Sequence, residues 1–138
     1  MKIRLDDVMQ SLSFPFNAVY YYYIPLETVL MFVDGMIYGK AVYGISSEED
    51  VRQHSGDFIK LPDIGEEGRR KVMLGYINTI ADVQTKKRIR DSLSGGISGF
   101  ESIVREQQRI MDWYNYREKV YTEFSRQWCE QQGLELIG

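Results

Sequence analysis

The fold is decided by two apolar stretches, AVYYYYI at residues 18–24 and TVLMFV at residues 28–33. Both are dense in aromatic and β-branched residues, which favour strands over helices. A short turn that contains Pro25 separates them, and Asp34 followed by Gly35 marks the next turn. The sequence therefore predicts a β-hairpin at the centre of a small antiparallel sheet.

Both faces of this hairpin are apolar. Successive side chains of a strand point to opposite faces, so Tyr20 and Tyr22 share one face and Tyr21 and Tyr23 share the other, while Phe32 belongs to the second strand. A sheet that is apolar on both sides has to be covered on both sides. We predict that these aromatic residues form an interface with a protein partner or with a second copy of the chain.

Shorter elements surround the hairpin. Apolar residues three and four positions apart predict an N-terminal helix over residues 5–12, which ends before Pro15. A third strand is predicted near residues 41–43 and a further short strand at residues 58–61. The N-terminal half of the chain is thus a mixture of helix and antiparallel strands.

The rest of the chain has helical spacing. Residues 72–80 and residues 82–93 predict two helices, the second with Asp82 as its N-cap. A glycine-rich break at residues 94–99 follows, and another helix starts at Phe100. The predicted fold class is α+β, with a small antiparallel tyrosine-rich sheet and a C-terminal helical subdomain in a single domain over all 138 residues.

The long terminal helix, predicted from Asp112 onward, is rich in aromatic residues. Trp113, Arg117 and Tyr121 follow one another at four-residue spacing, and Trp128 lies further along the same helix. A guanidinium at this spacing can lie against an aromatic ring while it bonds to a carboxylate elsewhere. We predict that these four residues form a structural anchor, so that Arg117→Met lowers the melting temperature.

Charge is distributed unevenly, although the net charge is only −3. Residues 46–67 contain seven acidic and two basic residues, whereas residues 69–90 contain seven basic residues and one acidic residue. The basic residues either form a solvated helix surface or bind an anion together with the glycine-rich segment, whose backbone amides precede a helix. The candidate ligand-binding residues are Arg69, Arg70, Lys71, Lys86, Lys87, Arg90, Gly96, Ser98 and Gly99.

Several classes of protein are excluded by composition. Cys129 is the only cysteine and His54 the only histidine, so neither a disulfide nor the usual zinc site can form within one chain. The acidic net charge argues against nucleic-acid binding by the whole chain. No stretch has the length of a membrane span or the pattern of a signal peptide, so a cytoplasmic protein is expected. We predict no metal site, no cofactor and no catalytic residue.

The chain resembles the bacterial uncharacterised protein family UPF0158, mainly over residues 58–132. The residues that carry the resemblance are FIKLPD at 58–63, the glycine-rich segment before Phe100, WYNYR at 113–117, and Tyr121 with WCE at 128–130. The N-terminal pattern of Ile3, Leu5 and Asp7 is similar too. The resemblance implies a shared fold in a bacterial protein and supplies no activity.

The chain departs from this family beside the glycine-rich segment. Ile97, Glu101 and Ser102 occupy positions where the family typically carries arginines.

Our first functional hypothesis is a non-catalytic interaction protein that forms homo-oligomers through its aromatic sheet face. The alternative is a small binder of an anionic ligand, a nucleotide or RNA, through the basic helices, and an enzyme is a third, weaker alternative.

Overall fold

A computed structural model of the chain describes residues 1–13 and 18–138. The strands are β1 (Lys2–Arg4), β2 (Ala18–Tyr23), β3 (Thr28–Val33), β4 (Met36–Tyr38), β5 (Phe58–Lys60) and β6 (Glu135–Ile137). The helices are α1 (Leu5–Ser13), α2 (Glu48–Gln53), α3 (Gly65–Ile77), α4 (Val83–Asp91), α5 (Gly96–Glu106) and α6 (Ile110–Gln132). The predicted α+β class and the long C-terminal helix are confirmed.

The chain divides into two compact units. The sheet unit contains residues 1–63 and 122–138, and the helical unit contains residues 64–121. The single domain expected over residues 1–138 stays a prediction. No helix within residues 1–13 and 18–138 is long and apolar enough to cross a membrane.

The main sheet of the sheet unit has the strand order β4-β3-β2-β5, with antiparallel neighbours throughout. The predicted hairpin is present, with Tyr20 opposite Met31 and Tyr22 opposite Val29. The short strand predicted at residues 58–61 is β5. The N-terminal helix is also present and ends at Ser13, while Pro15 lies outside the described residues.

The third strand was predicted at the wrong place. It lies at β4, immediately after the turn, because Asp34 and Gly35 have φ values of 50° and 82° and reverse the chain within two residues. Positive φ at both central residues is the backbone geometry that joins adjacent antiparallel strands. At residues 41–43 there is only an isolated bridge between Val42 and Ile45.

Both faces of the sheet are covered by the chain itself. On one face Tyr20 and Tyr22 belong to a core that includes Ile3, Val8 and Cys129. Sequence alone did not reveal this cover, because its residues come from the first strand, the first helix and the end of the last helix.

The opposite face is covered by a different part of the sheet unit. Leu30 and Phe32 pack with Ile45 and Val51, which lie between β4 and β5 in the chain. Tyr20 is 5% exposed, and Tyr22 and Phe32 are fully buried, so three of the five predicted interface residues have no free surface. These three side chains therefore need no partner to cover them, and the interface itself stays a prediction.

A second, smaller sheet was not predicted at all. β1 pairs in parallel with β6, and Ile3 lies opposite Leu136. Both strands have three residues, too few for alternation to stand out in the sequence. This pair holds the N-terminal residues in a fixed register, which matters for the site described below.

The helical unit has its own core, formed by residues of α3, α4, α5 and α6. Tyr76, Phe100 and Trp113 form its aromatic centre, and the rings of Phe100 and Trp113 meet edge to face with centroids 4.9 Å apart. Asp82 caps α4 as predicted, because its Oδ2 accepts a hydrogen bond from the amide of Thr85 at 2.8 Å.

Two predicted boundaries in this unit are wrong. The glycine-rich break is a 3₁₀ turn at Ser92–Gly95, and α5 already begins at Gly96. Ser98 and Gly99 thus lie inside a helix and not in a phosphate-binding loop. The last helix begins two residues before Asp112, which accordingly lies in its first turn and does not cap it.

Candidate functional site

An open cavity of about 550 Å³ lies in the sheet unit. Its walls combine β1, the start of α1, the end of β2, the turn and start of β3, the segment after β4, and β6. The lining residues are Lys2, Ile3, Arg4, Asp7, Tyr22, Glu27, Thr28, Val29, Lys40 and Ile137. The volume lies within the range of small-molecule sites, which is about 300–1,000 Å³.

Backbone pairing fixes the position of two cationic side chains in this cavity. Lys2 and Arg4 flank the buried Ile3 in β1, so the alternation of the strand turns both away from the core. Arg4 lies opposite Ile137 of β6, and the hydroxyl of Tyr22 donates to the carbonyl oxygen of Lys2 at 2.8 Å. The backbone of β1, which carries these two cations, is therefore anchored to the folded core.

Among the described residues, the three cations of the cavity, Lys2, Arg4 and Lys40, have no ion pair shorter than 3.9 Å. Arg4 Nη2 lies 3.9 Å from Asp6 Oδ2, with both side chains largely exposed, and such a contact contributes little. Lys40 Nζ donates to the neutral hydroxyl oxygen of Thr28. Within residues 1–13 and 18–138, Lys2 has no side-chain hydrogen bond or ion pair. Positive charge is thus available to a ligand.

Asp7 is the half-buried carboxyl group of the cavity. Burial raises its pKa, while the positive charges of Arg4 and Lys40 act in the opposite direction and the negative charge of Asp6 adds to the increase. Among the described residues Asp7 has no hydrogen bond and no ion pair. The second carboxylate, Glu27, lies with Oε1 3.7 Å from the amino group of Met1.

This arrangement suits an anion more than a metal ion. Lys and Arg bind phosphate and carboxylate groups through charge-assisted hydrogen bonds. Three cations and two carboxylates line the cavity, so its charged side chains sum to +1. In the described part of the chain, no group of three or more His, Cys, Asp or Glu residues is placed to hold a metal ion.

The basic residues predicted from the sequence lie in the helical unit. Arg70, Lys71, Lys87 and Arg90 are exposed, whereas Arg69 and Lys86 are half-buried. α4 contacts α3, the 3₁₀ turn at Ser92–Gly95 and α5, so the structure brings these segments together.

The cations of α4 are nevertheless spread along an exposed helix. α4 has only Ile89 as a fully buried residue, and Arg88 Nη2 is paired with Glu106 Oε1 at 3.2 Å. On α3, Lys71 Nζ lies 3.8 Å from Glu67 Oε1. Both exposed contacts are of the kind found on any solvated helix surface.

The geometry predicted for Arg117 is present in the helical unit. Its guanidinium carbon lies 5.8 Å from the ring centroid of Trp113 and 5.0 Å from that of Tyr114. Arg117 Nη1 lies 3.5 Å from Glu101 Oε2, which also accepts a hydrogen bond from Trp113 Nε1 at 2.8 Å. The cation thus has both an aromatic and a carboxylate partner, although its role as an anchor stays a prediction.

The other two predicted anchor residues are Tyr121 and Trp128. Tyr121 is buried at the end of the helical unit; burial raises its pKa, and the positive charge of Arg117 acts in the opposite direction. Trp128 packs against the core of the sheet unit. The anchor of four residues along α6 stays a prediction.

The cavity residues were missed by reasoning from the sequence. They come from positions as far apart as 2, 40 and 137, and no short motif contains them. The alternation of Lys2 and Arg4 around Ile3 and the position of Asp7 were visible in the sequence, but nothing there indicated that Lys40 lies on the same cavity. Pairing of β1 with β6 and of β3 with β4 creates the site.

The fold and the cavity together define an α+β protein with a cation-lined site. A comparison of the chain with protein-family models gives no match, and comparisons with curated proteins and with solved structures give none either. The resemblance to UPF0158 therefore stays a prediction. The function proposed below rests on the residues of this chain alone.

Proposed function

We propose that the chain binds a small anionic ligand in the cation-lined cavity of the sheet unit. The observation that carries the proposal is that Lys2, Arg4 and Lys40 line one open cavity of about 550 Å³ and that, among the described residues, only the long contact of Arg4 with Asp6 pairs any of them with a carboxylate. Cationic side chains around a concave site focus their field on it and attract anions. The function is thus of the predicted anion-binding class, at residues other than those predicted.

Each cation has a distinct part in the proposed site. Arg4 presents a planar guanidinium that can bond two oxygens of one anionic group, and β1 holds its backbone in place. Lys40 supplies a compact charge on the same cavity and is anchored by its bond to Thr28. Lys2 adds a third charge from the same strand as Arg4. Three converging charges suit a dianion such as phosphate better than a single carboxylate.

Titration calorimetry at low ionic strength with inorganic phosphate tests this proposal. We expect saturable binding to the intact chain and a loss of affinity of about tenfold or more in Arg4→Gln and in Lys40→Gln, because charge-assisted hydrogen bonds contribute at least about 1.4 kcal/mol. The matched control is Lys87→Gln with Arg90→Gln, which removes two exposed cations of α4.

The control separates the two positively charged regions. If the α4 variant loses affinity as strongly as the cavity variants, the basic helices hold the anion and the cavity proposal is wrong. If titration of the intact chain with phosphate gives no saturable binding heat, the proposal that the chain binds an anion is wrong. Circular dichroism of each variant verifies that the fold is retained.

The interaction function predicted from the hairpin has less support. Tyr20, Tyr22 and Phe32 are buried, and what remains of the apolar sheet surface is Met36 and Tyr38 of the edge strand β4, which are 55% and 64% exposed. Exposed apolar side chains on an edge strand favour association. A homo-oligomer that uses the main sheet would therefore use β4, and a concentration-independent monomer in light scattering would rule out this second candidate.

A further inference from the structure

The carboxyl group of Asp7 occupies an unusual position in the proposed binding site. It lies in the first turn of α1, half-buried, and none of the residues described provides it with a hydrogen bond or an ion pair. An ionised carboxylate offers about four acceptor positions, and none of them is occupied by a donor of the described residues. A ligand with a hydrogen-bond donor would fill them.

The neighbouring cations do not satisfy Asp7 themselves. Arg4 and Lys40 act on it only through their charge, because Lys40 bonds to Thr28 and the nearest carboxylate of Arg4 is Asp6. Asp6, by contrast, has a side chain that is 87% exposed to solvent. Asp7 is thus an acceptor held beside the cations without being bonded to them.

The charges of the cavity restrict what kind of group can bond to Asp7. An anion without a hydroxyl group that is held by Arg4 and Lys40 would leave the acceptor positions of Asp7 without a donor. A cationic donor such as an ammonium group would be repelled by Arg4, Lys40 and Lys2. A neutral hydroxyl next to an anionic group suits both parts of the site, since the anion meets the cations and the hydroxyl donates to Asp7.

We infer that the ligand is a phosphate monoester that carries a hydroxyl group near its phosphate, with the phosphate held by Arg4 and Lys40 and the hydroxyl donating to Asp7. The inference rests on the proposed function, because it names the ligand class of the same cavity. A polyol phosphate or a sugar phosphate has this chemistry, and either fits a cavity of about 550 Å³.

The alternative is that Asp7 stabilises helix α1 and does not contact a ligand. A carboxylate in the first turn of a helix interacts favourably with the helix dipole, and both Asp6 and Asp7 lie in the first turn of α1. Asp6 is therefore the matched control, since it shares this helical position and does not line the cavity.

The test compares two ligands that differ only in hydroxyl groups, glycerol 3-phosphate and propyl phosphate. We expect the intact chain to bind glycerol 3-phosphate about tenfold more tightly, the effect of one hydrogen bond to a charged group. Asp7→Ala should lose this preference, Asp7→Asn should keep part of it through its remaining amide oxygen, and Asp6→Ala should keep all of it.

The outcomes distinguish the inference from the function on which it rests. If both phosphates bind with equal affinity to the intact chain, the inferred hydroxyl contact is wrong and anion binding stands. If Asp7→Ala binds both ligands more tightly without a change in preference, Asp7 only repels anions and the inference is again wrong. If neither phosphate binds, the proposed function is wrong as well. Melting curves of the variants verify their fold. If Asp7→Ala does not fold, Asp7→Asn replaces it in the binding comparison.

Discussion

The helical unit and the sheet unit place their charged side chains in opposite ways. In the helical unit, Arg117 lies against the rings of Trp113 and Tyr114 and is paired with Glu101. In the sheet unit, Lys2, Arg4, Asp7 and Lys40 line an open cavity, and the long contact of Arg4 with Asp6 is the only ion pair that the described residues provide to them. A charge that is satisfied within the fold contributes to stability, whereas an unsatisfied charge at a cavity is available for binding.

The comparison has a measurable consequence. Substitutions in the satisfied cluster should change the free energy of unfolding and leave anion binding intact. Substitutions in the cavity should change anion binding and leave the free energy of unfolding almost unchanged. The three stability predictions below are arranged by the size of the expected effect.

The largest effect is expected for Tyr76→Phe in the helical unit. Tyr76 is buried, and its hydroxyl donates to Asp112 Oδ2 at 2.9 Å. Loss of a hydrogen bond to a charged acceptor should lower the free energy of unfolding by about 1.5 kcal/mol, measured by urea denaturation. Tyr114→Phe is the matched control, because its hydroxyl has only a long, exposed contact of 3.4 Å with Arg105 Nη2, and it should change stability by less than about 0.5 kcal/mol.

The same variant has a defined pH dependence. Burial and the hydrogen bond to Asp112 raise the pKa of Tyr76 from 10.0 to about 12. Because the pKa in the folded state lies above that in the unfolded state, the stabilising contribution of Tyr76 is complete below pH 10 and is lost as the pH rises towards about 12. The stability difference between the intact chain and Tyr76→Phe should therefore shrink over this range, and a constant difference would contradict the assigned hydrogen bond.

A smaller effect is expected for Arg117→Met. The side chain of Arg117 is 33% exposed and that of Glu101 is 26% exposed, so solvent weakens their ion pair. The cation–π contacts and the ion pair together should amount to about 1 kcal/mol, seen as a lower melting temperature. A double-mutant cycle with Glu101→Gln isolates the contact, and Arg105→Met, which removes a more exposed arginine, is the control. An unchanged melting temperature would mean that Arg117 is not a structural anchor.

Features that depend on neighbouring residues could be predicted from the sequence. Two adjacent aromatic and β-branched stretches predict the hairpin. Asp82 and the helix that follows it predict the cap. The spacing of Arg117 and Trp113 on one helix predicts their contact. In each case the partners lie within about one hairpin or one helix of each other. Local chemistry is sufficient there.

The cavity could not be predicted, because it depends on partners far apart in the chain. Lys40 and Arg4 are brought to the same site by strands of three residues, which are too short for a recognisable alternation. The cover of the hairpin could not be predicted for a related reason. The apolar hairpin does need cover, but residues such as Cys129 and Val51, distant in sequence, provide it from within the chain.

The smallest effect, and one of opposite sign, is expected for Asp7→Asn. Burial raises the pKa of Asp7 above 3.8, so at neutral pH the ionised group is less favourable in the folded state than in the unfolded state. Removing its charge should leave the free energy of unfolding unchanged or raise it slightly, by less than about 0.5 kcal/mol, because solvent screens a half-exposed group. The intact chain should gain stability relative to Asp7→Asn as the pH falls through the raised pKa towards 3.8.

Asp82 is the control with the reverse pH dependence. The hydrogen bonds from Thr85 lower the pKa of Asp82, so its stabilising contribution is present above pH 3.8 and is lost as the pH falls through the lowered pKa. Asp82→Asn should therefore lower stability at neutral pH, and Asp7→Asn should not. If Asp7→Asn also proves clearly destabilising at neutral pH, then Asp7 already has a partner in the folded chain, and the contrast between a satisfied helical unit and an unsatisfied cavity does not hold.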